Sequence, residues 1–540
     1  MDTVSIILFL LLAVVASDVL SRLLARALPF VIPRPLVQIG LGAVVGLSTR
    51  RAVTLDPQVF FLLLLPPLLF LDGWRIPSEE LLKDRRTVSQ LALGLVVFTV
   101  VGMGVFIHWL VPALPWPVAF ALAAVLSPTD PIAVTAIAQR VPITRRMMRI
   151  LEGESLLNDA SGLVCFSFAV AAMTTGTFSL SRALFDFVWV ATGGVAVGVG
   201  LTLALTGLKN RVSQRIGEDS GSQILISLLI PFGCYLLAEA IHASGILAAV
   251  AAGLTMSSVE SSGHAMATTR IRRATFWDVI QFSANGVVFV LLGEQLPGIA
   301  AGAAATVQLT GHAHPAWLIA YVLAITLGLA LLRFAWVMVS LRGGATERTG
   351  WRLVTVMSLA GVRGAVTLAG VLSLPLLLPG GAPFPGRDLA ILLAMGVIIV
   401  SLVAASIGLP LLLGGLALPS DPSREAEEAS ARIAAAHAAI GEIERLQLAR
   451  SKDQPDADIV VAAAARVMDI YRARIESRAG DAEAIALARK SEAVEREMRL
   501  AALAAERTEI FRELRGRRLG SETARKLVRE IDLLEARHSG

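Results

Sequence analysis

A series of apolar segments recurs from the N-terminus of this sequence to about Pro419. Each runs for roughly 15 to 25 residues, the length a helix needs to cross ~30 Å of hydrocarbon. We count thirteen, at about 4–21, 35–49, 58–74, 87–111, 117–138, 148–174, 183–208, 222–241, 244–259, 276–296, 316–340, 352–377 and 388–414. The mean hydropathy of +0.69 agrees with a chain embedded in a membrane for most of its length. The sequence therefore predicts an all-α, polytopic membrane protein.

The loops between these segments carry a strong charge bias. With the N-terminus external, the predicted cytoplasmic loops hold 20 Lys and Arg residues and the external loops hold 4. This bias follows the positive-inside rule, so it predicts a multi-pass protein of the inner (cell) membrane. It also accounts for the net charge of +5 without a nucleic-acid partner. The first segment lacks a basic leader, and we interpret it as a span rather than a cleaved signal.

The composition changes abruptly after the last apolar segment. From Ser420 onward the chain is rich in Ala, Glu, Arg and Asp, and apolar residues recur at helical spacing in 431–448 and 482–515. The sequence predicts a transmembrane domain over 1–415 and a cytoplasmic helical tail over 420–540. Self-association and regulation are both open roles for the tail. No motif in the chain calls for a cofactor, and Cys165 and Cys234 lie in apolar runs that do not suggest redox chemistry.

An acidic residue stands between two prolines in the fifth span. The run is Ser127-Pro128-Thr129-Asp130-Pro131. Because proline lacks an amide hydrogen and clashes with the preceding turn, the helix must open here and free backbone carbonyls. Such carbonyls need a cavity, a helix end or a cation inside a membrane. The run therefore predicts an interrupted helix with a functional acid near its centre.

The sixth span carries further polar residues, in the run Glu154-Ser155-Leu156-Leu157-Asn158-Asp159. On a helix, Ser155 and Asp159 share one face, while Glu154 and Asn158 form the neighbouring stripe. At 1.5 Å per residue, Asp159 lies about 16 Å and Asp130 about 12 Å from the cytoplasmic ends of their spans. Ionisable residues at such depth are functional candidates because their burial is costly.

The twelfth span contains an arginine between glycines, Gly361-Val362-Arg363-Gly364, at about the same depth. An intramembrane arginine usually has a carboxylate partner, and Glu154 is the candidate for a structural ion pair with Arg363. Arg333 in the eleventh span is interpreted as a packing or helix-end contact. The fifth and twelfth spans run in opposite directions, so the sequence predicts inverted repeats whose interrupted helices cross at the midplane.

Several motifs together resemble the sodium/proton exchanger family of monovalent cation:proton antiporters, including its NhaP members. They are Ser127–Val134 (SPTDPIAV), Glu154–Gly162 (ESLLNDASG), Val288–Gly293 (VFVLLG), Gly361–Ala369 (GVRGAVTLA) and the Leu65–Asp72 run (LPPLLFLD). The resemblance covers about residues 1–415. It implies thirteen spans, a dimerisation part, a moving core part and a homodimer that exchanges sodium or another monovalent cation for protons, with roles in pH and sodium homeostasis.

The resemblance also implies roles for individual residues. Asp159 binds the cation or the proton, and Asp130, the Ser155 hydroxyl and the Thr129 carbonyl are further ligands. Asn158 before Asp159 is typical of electroneutral members. Two further sets of residues have implied roles: Asp72 corresponds to an accessory acid of the third span, and Glu154 with Arg363 to the structural ion pair.

Other functions stay open from the residues alone. Potassium/proton exchange or anion/cation symport on the same scaffold and a cation channel are alternatives, and a membrane sensor that signals through its tail is a third class. Selectivity among sodium, lithium and potassium depends on cavity dimensions that the sequence does not give. No enzymatic constellation is present in the sequence, and we expect a transporter rather than an enzyme.

Overall fold

The structure is a computed structural model of the chain that describes residues 3–27, 32–49, 57–75, 90, 94–130, 145–175, 180–217, 219–261, 267–308, 314, 316–342, 351–413, 422–451, 457–479 and 482–539. Its regular structure in these residues is helical. The helices are α1 Thr3–Ala27, α2 Arg34–Thr49, α3 Pro57–Arg75, α4 Leu95–Leu110, α5 Trp116–Leu126, α6 Arg145–Thr175, α7 Leu180–Ile216, α8 Ser220–Ala240, α9 Gly245–Ser261, α10 Ala267–Gln308, α11 Ala316–Arg342, α12 Trp351–Leu359, α13 Ala365–Leu372, α14 Arg387–Leu413, α15 Pro422–Ser451, α16 Ala457–Ala479, α17 Ala482–Arg515 and α18 Ser521–Ser539.

Two compact units make up the chain, Met1–Leu418 and Pro419–Gly540. In the described part of the first unit, five helices are long and apolar enough to cross a membrane, within α7, α8, α10, α11 and α14. Five shorter apolar helices accompany them, within α2, α4, α5, α6 and α9. The all-helical, membrane-embedded class predicted from the sequence is therefore confirmed, while the count of thirteen spans and the inverted repeats stay predictions.

The helices of the first unit pack in two groups. One group contains α1–α3 and α7–α10, and the other contains α4–α6 and α11–α14. Small residues allow very close approach inside the first group: a Cβ atom on Gly42 of α2 would lie 2.1 Å from the carbonyl oxygen of Val290 on α10. Such backbone contact between helices is typical of membrane proteins, where small side chains at the interface maximise packing.

An ion-pair cluster fixes the end of α3 that carries Asp72. The indole Nε1–H of Trp74 donates a hydrogen bond of 2.6 Å to Glu260 on α9. Arg273 on α10, of which 1% is exposed, pairs with the same glutamate and stacks 5.3 Å from the Trp74 ring. Because pairing and ring stacking offset the cost of burying the Arg273 guanidinium, this cluster ties three helices of the first group together.

The second unit is a bundle of α15–α18. The segments 431–448 and 482–515, which the sequence predicted to be helical, lie within α15 and α17. The few buried residues of the described bundle are small or apolar, such as Ala436 of α15, Ala464 of α16 and Leu503 of α17. The exposed faces carry ion pairs at helical spacing, for example Arg432 with Glu428 and Arg499 with Glu495.

Candidate ion-binding site

Helix α5 ends where the sequence predicts that the fifth span opens. Helix α5 ends at Leu126, and residues 128–130 have no regular structure. Pro128 is the physical reason, because it cannot continue the hydrogen-bond ladder of α5. The predicted second half of this span, from Pro131 onward, lies outside the described residues. Thr129 is 5% exposed, so the opened backbone is buried within the helix assembly.

A second interruption contacts the first. Residues 360–364 separate α12 from α13, and the backbone N–H of Asp130 donates a 2.7 Å hydrogen bond to the carbonyl of Val362. The N–H of Ala365, the first residue of α13, lies 3.4 Å from Asp130 Oδ2. A carboxylate at a helix N-terminus interacts favourably with the helix dipole. Asp130 therefore joins the two broken helices through both its backbone and its side chain.

Gly364 makes this junction possible. A Cβ atom at this position would lie 1.8 Å from Asp130 Oδ2, closer than any real contact. Substitution by any other residue must push the Asp130 carboxylate away from the start of α13. Gly364 is thus required because the Asp130 carboxylate approaches its backbone closely.

We predict that Gly364→Ala displaces Asp130, reduces cation/proton exchange by at least about tenfold and destabilises the protein by about 1–3 kcal/mol, the usual cost of overpacking. Exchange in proteoliposomes and the apparent melting temperature measure the two effects. Gly200→Ala on α7 is the matched control, because no atom lies within 4 Å of a Cβ built there. Unchanged exchange by Gly364→Ala would mean that Asp130 does not need this position.

Helix α6 presents its polar residues to the first interruption. The Ser155 hydroxyl donates a 2.6 Å hydrogen bond to the Thr129 carbonyl oxygen, and Asn158 Nδ2 donates one of 3.0 Å to the Thr129 hydroxyl. The sequence grouped Asn158 with Glu154 on one stripe, whereas the structure turns Asn158 toward Thr129 with Ser155. Positions 155 and 158 are three residues apart, so they too are neighbours on a helix.

Asp159 belongs to a group of three acids. It is 5% exposed, and no described residue donates a hydrogen bond to its carboxylate. Its carboxylate interacts electrostatically with those of Asp72 and Asp130. A buried carboxylate without a donor is costly unless it binds a proton or a cation. Asp72 on α3 comes from the first helix group, so the acids lie where the two groups meet.

Buried oxygens around the acids lack partners among the described residues. They are the hydroxyl oxygens of Ser127 and Thr367 and the side-chain carbonyl oxygen of Asn158. Each of these residues is at most 6% exposed. Unpartnered buried oxygens are rare in folded proteins and call for a ligand or water. Oxygen ligands of this kind suit a hard, weakly hydrated monovalent cation.

The structure corrects the predicted ion pair between Glu154 and Arg363. Glu154, with no exposed surface, forms a bidentate pair with Arg333 of α11, through Nη1 to Oε1 and through Nη2 to Oε2 at 2.8 Å. Arg333 Nε also donates a 3.1 Å hydrogen bond to the carbonyl of Met357 in the last turn of α12. Arg333 is therefore an ion-pair partner and not only a packing contact.

The helix break explains why the pair forms with Arg333. The interruption after α12 frees carbonyl groups, and Arg333 satisfies one of them while it binds Glu154. Gly361 leaves room for it, since a Cβ there would lie 2.7 Å from Arg333 Nε. Arg363 instead donates from Nη1 to the carbonyl of Gly361. The only sequence signal for Arg333 was its position as an arginine within an apolar span.

The end of α5 and the break between α12 and α13 meet beside a buried group of acids, an arrangement typical of secondary transporters. Comparison with known proteins gives the same class: residues 8–414 match the family described as "Sodium/hydrogen exchanger, transmembrane". The chain belongs to this family of sodium/proton exchangers, which are transporters and not enzymes, and monovalent cation:proton exchange is the family's activity.

Relatives resemble the chain over different lengths. An uncharacterized Na(+)/H(+) exchanger of Escherichia coli is 40% identical over 531 residues, which cover 96% of each chain and so include most of the tail. A sodium, potassium, lithium and rubidium/H(+) antiporter of Bacillus pumilus is 45% identical over 412 residues, or 74% of this chain and 60% of that one.

A solved structure shares the fold. The sodium proton antiporter MjNhaP1 from Methanocaldococcus jannaschii matches 77% of this chain and 99% of its own with a TM-score of 0.59. The sequence identity is 19%, so this likeness concerns the fold alone.

Proposed function

We propose that the chain exchanges sodium for protons, one for one, by alternating access, with Asp159 as the carboxylate that both ions share. The observation that supports this most directly is that Asp159 is buried beside two other acids without a hydrogen-bond donor among the described residues. A carboxylate holds either a proton or a cation, so the two ions compete. If the site moves between its inward-open and outward-open states only when it holds a proton or a cation, the two ions are exchanged without a separate gate for each.

The other proposed ligands are the oxygens around Asp159. Asp130 contributes a carboxylate, Thr129 its carbonyl and Ser155 its hydroxyl, which already donates to that carbonyl and can turn its lone pairs to an ion. Asn158 holds the Thr129 hydroxyl and keeps a free carbonyl oxygen among the described residues. Because Asn158 is neutral, the site carries one exchangeable charge if Asp130 stays ionised, and transport is then electroneutral.

Asp72 is proposed as an accessory acid. It interacts electrostatically with Asp130 and Asp159, although it belongs to the other helix group. An acid on the first helix group attracts cations to the space between the two helix groups. If the two groups move relative to each other, the distance from Asp72 to Asp159 changes, and with it the electrostatic potential at Asp159. The protein is further proposed to act as a homodimer in the inner membrane, with a cytoplasmic tail, in pH and sodium homeostasis.

Potassium/proton exchange is the second candidate. It is favoured by the Bacillus pumilus relative, whose name includes sodium, potassium, lithium and rubidium. Oxygen ligands serve all of these ions, and the cavity dimensions decide among them.

Apparent sodium affinity is expected to weaken as the pH falls, by up to about tenfold per pH unit when one proton competes with one cation. The measurement is proton movement in proteoliposomes, recorded by a fluorescent dye over a series of sodium concentrations and pH values. Lithium, potassium and rubidium are tested in turn, and the cation with the highest kcat/KM is the preferred substrate.

The same proteoliposomes test the stoichiometry. One-for-one exchange gives rates that do not change with an imposed membrane voltage, whereas net charge movement gives voltage-dependent rates. Cation flux that is independent of an opposing proton gradient would instead indicate a channel and overturn the proposal. Empty liposomes and the Asp388→Asn variant, whose side chain is 85% exposed, are the controls.

A further inference from the structure

A cavity of about 270 Å³ lies between α11, α14 and the segment that joins α12 to α13. Its walls include Leu323, Leu327, Ala404 and Ser401, and both Arg333 and Arg363 line it. It is distinct from the acid group, because none of the proposed cation ligands lines it. An apolar cavity that contains charged groups at this depth in a membrane protein calls for an explanation.

Arg363 brings to this cavity a positive charge that no described residue pairs. Its side chain is buried, with 4% exposed, and it forms no ion pair with a described residue. Its Nη1 donates to the Gly361 carbonyl, and its Nε has no hydrogen-bond partner among the described residues. Glu154 forms no ion pair with it, because both oxygens of Glu154 bind Arg333. A buried guanidinium with free donors favours an anion, and a carboxylate fits its planar edge.

The cavity opens at the side of the helix assembly. Leu323 and Leu327 form part of its wall and are 51% and 60% exposed on α11. Both lie within the stretch of α11 that is apolar and long enough to cross a membrane. Acyl chains of the bilayer would therefore surround this opening. An occupant that suits both the Arg363 guanidinium inside and the acyl chains outside the opening must combine an anionic group with an apolar chain.

We propose that this cavity binds a single-chain fatty acid, with its carboxylate on the guanidinium of Arg363 and its acyl chain leaving between α11 and α14. The volume corresponds to roughly nine water-sized volumes of 30 Å³. It suits a carboxylate and part of one chain, but not a glycerol backbone with two chains. A phospholipid headgroup also stays at the interface, about 15 Å from the bilayer centre where Arg363 is expected.

Occupancy of this cavity would affect exchange, a consequence that rests on the proposed function. Arg363 follows Val362, whose carbonyl accepts the Asp130 N–H. The N–H of Arg363 donates a 3.2 Å hydrogen bond to Ser401 of α14, another wall of the cavity. A bound carboxylate would thus hold the segment between α12 and α13 against α14. Binding itself can be measured without transport, so the two proposals fail separately.

The test uses the full chain in lipid nanodiscs with a photoreactive palmitic acid analogue and, for comparison, its methyl ester. Mass spectrometry locates the labelled peptides. The acid should label α11 and α14 at least about tenfold more than the ester, as expected for a charge-assisted bidentate contact. Ala404→Phe, which fills the cavity from α14, should reduce labelling by the acid to the level of the ester. Val403→Phe, on the exposed face of the same helix, should leave it unchanged.

Three outcomes would overturn the proposal. Equal labelling by acid and ester would mean that the cavity holds acyl chains without recognising the carboxylate. Unchanged labelling of a folded Ala404→Phe protein would place the ligand elsewhere. Suppression of labelling by chloride, relative to gluconate, would identify a small inorganic anion as the occupant. If Ala404→Phe fails to fold, Leu327→Trp fills the cavity from α11 and serves in its place.

Discussion

Asp159→Asn is expected to abolish cation/proton exchange and to leave the protein folded. The amide has nearly the shape of the carboxylate, but it cannot trade a proton for a cation. Stability should not fall, because the change removes one negative charge from a buried group that also contains Asp72 and Asp130. Exchange in proteoliposomes should drop to the level of empty liposomes, while the apparent melting temperature stays equal or rises.

A matched control separates this effect from a general loss of charge. Asp388 lies in the first turn of α14, and 85% of its side chain is exposed, so Asp388→Asn should transport normally. Isothermal titration with sodium adds a second measurement, in which the Asp159→Asn protein should release no heat of binding. Normal exchange by a well-folded Asp159→Asn protein would reject Asp159 as the shared carboxylate.

The end of α5 and the break between α12 and α13 could be predicted from local chemistry. Pro128 removes a helical hydrogen bond, and the glycines at 361 and 364 stand on either side of an arginine in an apolar span. Because these causes act within a few residues, the sequence contains all the information needed. The depth expected for the acids comes from the helical rise in the same way, and it stays a prediction.

Lateral neighbours could not be predicted. Arg333 and Arg363 are both intramembrane arginines, and nothing in the order of residues tells which of them faces Glu154. That choice depends on how α6, α11 and α12 pack, and on the carbonyl of Met357 that Arg333 also binds. The approach of Asp72 to Asp159 is a second case, because it depends on the contact between two helix groups.

The ends of the helices could not be predicted from the apolar segments either. The predicted span 276–296 lies inside α10, which runs from Ala267 to Gln308. Hydropathy reports where the chain meets hydrocarbon, whereas a helix can continue into water when its polar residues find partners. Arg273 shows the cause, since it is buried in α10 beside Trp74 and Glu260 although it precedes the apolar run.

The corrected ion pair leads to the second large effect. Arg333→Met should lower yield and destabilise the protein by about 3–5 kcal/mol, because it leaves the Glu154 carboxylate buried without its partner. It also removes the donor to the Met357 carbonyl. Arg363→Met should cost less, since Arg363 forms no ion pair with a described residue.

A double-mutant cycle distinguishes the two arginines. In Glu154→Gln/Arg333→Met both charges are gone, so the double variant should be more stable than Arg333→Met alone, with a coupling of about 2–3 kcal/mol. Glu154→Gln combined with Arg363→Met should show a clearly smaller coupling, because Arg363 senses the charge of Glu154 without forming an ion pair with it. Apparent melting temperatures of the six proteins, including the unmodified chain, provide the comparison. The Met357 hydrogen bond is lost in every variant that lacks Arg333, so it cancels in the cycle and the coupling reports the pair with Glu154 alone. A strong coupling of Glu154 to Arg363, with none to Arg333, would restore the pairing first expected from the sequence and reject the one in the structure.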